Sequence, residues 1–162
     1  MGGYSTKDEF RPTEKEWIFM EDLSPILQRI PQLRDCQSLE IKELTGGITN
    51  KNYKICTGTE CYVLRLGGNE TQFLGIDRRI EYECSDLASQ IGIAPRPAAF
   101  LEPEGYILAE FISGKGIPAE QIGIEENIRR VVESLKAFHS LEYFPGSFSP
   151  FRVAEEYTRT AR

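Results

Sequence analysis

Two short runs in this sequence hold residue types that could act together on one ligand. Gly46-Gly47-Ile48-Thr49-Asn50 puts a diglycine and two small polar side chains into one turn. Tyr62-Val63-Leu64-Arg65-Leu66 follows, a strand-like run with a single cation. That order suits nucleotide phosphates. Glycines let backbone N–H groups approach oxygens closely, and a fixed positive charge meets the anion from the next strand. Each run also has a plainer reading, a hairpin turn that needs positive φ or a solvated strand charge. It is their succession, with a carboxylate-bearing helix after them, that points to phosphate binding.

Any such site must be local, because the chain as a whole is acidic. Its 162 residues carry 19 Lys and Arg against 25 Asp and Glu, a formal charge of −6. No basic stripe is present, which argues against a nucleic-acid partner. At 40% hydrophobic and 27% charged residues the composition is that of an ordinary globular protein. No apolar run is long enough to span a bilayer. Residues 1–16 are too polar for a signal peptide. Met1-Gly2 with Thr6 matches a myristoylation pattern, but the basic patch that would support a single acyl chain is missing. The four cysteines, Cys36, Cys56, Cys61 and Cys84, form no C-x-x-C pair, and with His139 as the sole histidine no zinc arrangement arises. Cys56 and Cys61 flank Thr57-Gly58-Thr59-Glu60 and could face each other across a hairpin; reduced thiols in a cytoplasmic protein are the expectation.

The elements that would position these residues follow from periodicity. Thr13 and Glu16 make a capping-box pattern before Trp17. Ser24-Pro25 starts a second helix, with Leu27 and Ile30 on one face and Pro31 as its end. Leu39 to Leu44 alternates with period two. Asn52 to Cys56 and Cys61 to Leu66 complete a three-stranded meander. A helix is predicted from Ile76 to Ile91, with Ile80, Cys84, Leu87 and Ala88 along its apolar face. Gly92, Pro95 and Pro97 close it. Ala98 to Leu101 and Tyr106 to Ile112 read as two more strands across the Pro103-Glu104-Gly105 turn. After a linker around Ser113-Gly114-Lys115-Gly116, Glu125 and Glu126 open a helix carrying Ile128, Val131, Val132, Leu135 and Phe138 as a stripe. Phe151 to Tyr157 begins a last helix. The fold class is α+β, a five-stranded antiparallel sheet with one long helix.

This order of motifs resembles the choline/ethanolamine kinase family, within the aminoglycoside-phosphotransferase and protein-kinase-like superfamily. The resemblance rests on Leu44 to Asn50, Val63 to Leu66, Ile76-Asp77-Arg78-Arg79-Ile80-Glu81, Gly92 to Pro95, Ile107 to Ile112, Leu135 to His139 and Pro150 to Val153. It covers residues 39–157. It implies an N-terminal helical extension over 1–38, a kinase-like small lobe over 39–112, a hinge over 113–123 and the start of a truncated large lobe over 124–162. It also implies transfer of the ATP γ-phosphate, with Mg²⁺, to a small alcohol such as choline or ethanolamine. By the same resemblance Gly46, Gly47, Thr49 and Asn50 would cover the phosphates. Arg65 would stand where most kinase folds have a strand lysine, with Glu81 as its partner on the helix. Glu110 and Ile112 would offer backbone groups to the adenine edge.

Periodicity alone leaves the partner of Arg65 open. With Ile80 as the centre of the apolar stripe, 100° steps put Glu81 and Glu83 on opposite shoulders; the resemblance favours Glu81. Arginine in place of lysine keeps phosphate holding, because a planar fork binds oxygen pairs. The family's later motifs, a His-x-Asp loop with its Asn and then an Asp, have no counterpart in these 162 residues, since Ser140 and Leu141 follow His139. The sequence therefore supplies no catalytic residue and no metal ligand, and the chain by itself is expected to be inactive. Its expected partners are ATP, an alcohol acceptor, the remainder of a large lobe, and a second copy through the apolar helix over 125–141. The alternatives are a non-catalytic nucleotide-binding or interaction module, and a kinase for another acceptor such as an aminoglycoside or thiamine.

Overall fold

The computed structural model describes residues 23–44, 50–67, 77–147 and 149–160. The helix expected around Thr13 to Met20 and the turn residues Gly46, Gly47 and Thr49 lie outside the described residues. Alternating segments form five strands: β1 (Glu40–Leu44), β2 (Asn50–Cys56), β3 (Cys61–Gly67), β4 (Pro97–Leu101) and β5 (Tyr106–Glu110). All neighbours are antiparallel, in the order β1-β2-β3-β5-β4. The β4–β5 hairpin therefore docks through its second strand, and β3, which carries Arg65, lies at the centre.

Register sorts the side chains onto two faces. Tyr53 pairs with Leu64, Ile55 with Tyr62, and Leu64 with Leu108, so these five share one face. All five are buried. The residues that cover this face come from the N-terminal segment: Leu23, Leu27, Ile30 and Leu33 join the same cluster. Each such side chain contributes about 1.5–3 kcal/mol on burial. A helical stretch over 23–27 ends before Pro31, as expected, but Pro31 also opens a second helical turn, α1 (Pro31–Arg34). Proline suits that first position because its missing N–H has no intrahelical acceptor there.

The long helix α2 (Arg78–Gln90) starts two residues later than its apolar pattern suggested. Asp77 caps it, its Oδ1 accepting from the N–H groups of Arg79 and Ile80 at 2.9 and 3.1 Å. The helix buries no residue completely, and Tyr82 rests against Phe100 with ring centroids 5.0 Å apart. The sheet core is thus built mainly against the N-terminal segment, and α2 lies more lightly on the edge near β4. A short α3 (Ala119–Ile122), which periodicity did not predict, precedes α4 (Glu125–His139); α5 (Pro150–Thr160) follows.

The cysteine expectation needs correction. Cys56 and Cys61 are register partners at the end of the β2–β3 hairpin, with Cα atoms 4.1 Å apart, and they form a disulfide. The tight turn brings them together, and the pairing removes the free-thiol argument for a reducing compartment. Cys36 and Cys84 are free. Among the described residues no helix is long and apolar enough to cross a membrane.

Candidate functional site

The second face of the sheet carries the candidate site. Asn52 pairs with Arg65, Val63 with Ala109, and Arg65 with Ile107, so these residues look away from the core. With Ser85 of α2, Ala94, Pro95 and Pro97, and Glu110 to Ile112, they line a cleft of about 400 Å³. That volume falls in the range of small-molecule sites. Its floor is apolar, and its one cationic side chain among these residues is Arg65.

Arg65 projects from β3 toward α2 and pairs with Glu81 through Nη1 and Oε1. The structure thus decides between the two glutamates. Glu83 lies across the exposed side, 3.9 Å from Arg79. The choice follows from where the helix begins: with Asp77 as cap, Glu81 lies one turn in, on the side facing β3. Burial, then the charge of Arg78, push the Arg65 guanidinium below its ordinary pKa; it remains protonated under any working condition.

Arg78 is the residue that sequence reasoning missed. Its Nη1 lies 2.6 Å from the second carboxylate oxygen of Glu81, and its Nη2 donates to Asn50 Oδ1 at 3.3 Å. Glu81 is therefore shared by two guanidinium groups. One carboxylate cannot neutralise two cations, so the cluster keeps a net charge of about +1, counting formal charges. The signal was present in the sequence as an i, i+3 Arg–Glu pair on a helix.

The far end of the cleft is backbone. The Glu110 N–H donates to the Arg96 carbonyl and the Phe111 N–H to the Cys61 carbonyl, both at 2.9 Å. Those two donors are spent on the sheet. The Glu110 side chain turns outward to Arg96 at 3.0 Å, and the Ile112 side chain is exposed. Of the predicted site residues, Asn50, Arg65 and Glu81 are brought together through Arg78. Glu110 and Ile112 stand along the same cleft, and Gly46, Gly47 and Thr49 lie outside the described residues. His139 ends α4, beside Phe138. Among the described residues no group of three His, Cys, Asp or Glu side chains could hold a metal ion.

A second groove, of about 420 Å³, lies between Ala88, Ile93 and Ile117 on one side and the α4 stripe of Val131, Leu135 and Phe138 on the other. It is mainly apolar, with Asn127, Arg130 and Ser134 also in its lining.

The architecture matches solved structures of kinases. One is a choline/ethanolamine kinase family protein from Mesorhizobium loti, 21% identical, with a TM-score of 0.68 over 87% of this chain and 45% of that one. Another is the choline kinase LicA from Streptococcus pneumoniae, 24% identical, with a TM-score of 0.63 over 93% of this chain and 50% of that one. A third is an ethanolamine kinase from Plasmodium vivax, 18% identical, with a TM-score of 0.62 over 96% and 45%. This chain shares its fold with part of the choline/ethanolamine kinases. It spans half the length of these structures or less. No family model matches the sequence, and no curated protein is significantly similar to it.

Proposed function

We propose that this chain is the ATP-binding part of a small-molecule kinase, one that transfers the γ-phosphoryl group to an alcohol such as choline or ethanolamine. The observation that carries the reading is the Arg65–Glu81–Arg78 cluster, which enters the cleft through Arg65, a built-in excess of positive charge in an acidic chain. Phosphoryl transfer depends chiefly on positioning and charge neutralisation. Arg65 holds the α- and β-phosphates with its fork, and Glu81 aims that fork. The backbone of the Gly46 to Asn50 turn covers the phosphates. The Glu110 carbonyl and the Ile112 N–H meet the adenine edge, and Val63, Ala109 and Ile107 offer an apolar floor to the base. These roles extend the domain reading, a nucleotide-binding lobe over 39–112 joined by a hinge over 113–123 to residues 124–162.

Mg²⁺ is part of the proposed reaction, but the described residues do not fit it, so no step here runs through a metal. The acceptor site and the catalytic base likewise have no assigned residue, and the chain alone is taken to be inactive. The exposed stripe Ile128, Val131, Val132 and Leu135 is proposed to pair with a second copy of the chain.

The test is phosphorus NMR of ATP with the purified chain. Selective broadening of the α- and β-phosphate resonances is expected, and Arg65→Met abolishes it. Equal broadening with R65M would remove Arg65 from the site. Choline-dependent ATP consumption by the chain alone would overturn its inactivity.

A further inference from the structure

We propose that Arg78 is a positioning residue that ties Asn50, at the start of β2, to the Arg65–Glu81 pair, so that β2 and the phosphate-binding arginine are held as one unit. The inference rests on the nucleotide-binding reading above and adds a residue to it. Three observations carry it. First, the Arg78 guanidinium bridges two elements: it reaches Glu81 on α2 at 2.6 Å and Asn50, the first residue of β2, at 3.3 Å. Second, its side chain is only 15% exposed, against 39% for Arg65. Arg65 is open to a ligand, whereas Arg78 lies behind it and acts through its neighbours. Third, the fold makes room for Arg78. A Cβ on Gly67 would lie 3.1 Å from Arg78 Nη2, and a Cβ on Gly105 would lie 2.5 Å from Arg78 Cβ. The stem is clamped under the β4–β5 turn, so the head group has little freedom to swing away.

The chemistry explains why two arginines are used. With Arg65 alone, Glu81 would cancel the only cation and set a carboxylate near the incoming phosphates. Arg78 occupies one carboxylate oxygen and restores the excess charge. Arg65 then keeps the rest of its fork for the anion, and Asn50 is fixed at the start of β2. Lysine cannot replace this, because a single ammonium lacks the planar fork that reaches both partners.

The experiment is calorimetric titration of the full 162-residue chain with ATP and, separately, adenosine. The unaltered chain should prefer ATP. Arg78→Met is expected to cut the ATP-to-adenosine affinity ratio by about tenfold, the loss of one charge-assisted hydrogen bond, with adenosine affinity unchanged. A merely structural role would lower both affinities together, and that result overturns the proposal. Arg78→Lys should lose the preference as R78M does; retention in R78K would mean that charge alone matters, which also overturns it. Asn50→Ala removes the acceptor on β2 while leaving Arg78 in place, and its comparison in two backgrounds separates this contact from any direct effect of Asn50 on the phosphates and guards against misfolding of R78M. It should reduce the ratio in the unaltered chain and add nothing in the R78K background. An undiminished ratio in R78M or in N50A sinks the role of Arg78 alone. No preference for ATP in the unaltered chain sinks the nucleotide reading and this assignment with it.

Discussion

Arg78 and Gly105 form a lock whose two halves lie far apart in sequence. Gly105 holds a φ of +71°, a region that costs a non-glycine residue about 1–2 kcal/mol. Its missing Cβ also leaves space that the Arg78 stem fills. Gly105→Ala therefore meets two obstacles, backbone strain and a collision with a side chain that cannot move freely. We expect a loss of about 2–4 kcal/mol, summing the strain with the lower end of overpacking costs, measured by urea unfolding. A loss of a few tenths would mean that the arginine stem gives way easily and that the clamp is weaker than the geometry suggests. At this scale the cluster itself is economical: three ionic side chains and one amide set the charge, the direction and the anchoring of the candidate phosphate site.

At the scale of elements, the N-terminal segment is held at two points. Its apolar side chains cover the sheet, and Arg29 forms a forked pair with Glu104 on the β4–β5 turn, at 2.9 and 3.0 Å. The same turn clamps Arg78, so the segment that completes the core also steadies the site. The hydrogen bonds from Arg29 hold the Glu104 carboxyl below the usual glutamate range. A depressed folded-state pKa stabilises the fold above the unfolded value of about 4.3, and this contribution fades as pH falls through the lower, folded value. Stability should therefore drop on acidification over that window. Glu104→Gln should flatten that part of the profile while lowering stability slightly at neutral pH. Both partners are partly exposed, so the effect is modest and salt-sensitive. An acid limb unchanged in E104Q would show that the pair contributes nothing to the docking.

For the molecule as a whole, the decisive feature is an apolar face on α4. Ile128, Val131, Val132 and Leu135 are 40–52% exposed. Leaving such side chains in water forgoes part of the 1.5–3 kcal/mol that each gains on burial. We expect concentration-dependent self-association in sedimentation velocity, and its loss in Val131→Glu, which puts a charge into the middle of the stripe. A monodisperse monomer across the concentration range would contradict this.

Local order was legible because it depends on neighbours in sequence. Alternation identified β1, strand-like runs between turn signals identified the other four strands, the 3.6-residue stripe identified α2 and α4, and glycine and proline marked the ends of elements. The α+β class followed from these, whereas the pairing of Arg65 with an acidic helix residue came from the family resemblance. What remained undecided turned on one-residue matters of phase and on contacts between distant segments. Periodicity could not tell Glu81 from Glu83, because that depends on Asp77 starting the helix and on which flank meets β3. It could show Arg78 only as an i, i+3 neighbour of Glu81, because its other neighbours, Asn50, Gly67 and Gly105, come from three separate strands and turns. Nor could it show that Leu27, Ile30 and Leu33 cover one face of the sheet, or that Cys56 and Cys61 are bonded. Each of these needs the register of the strands and the packing of one element on another, and tertiary structure alone sets those distances.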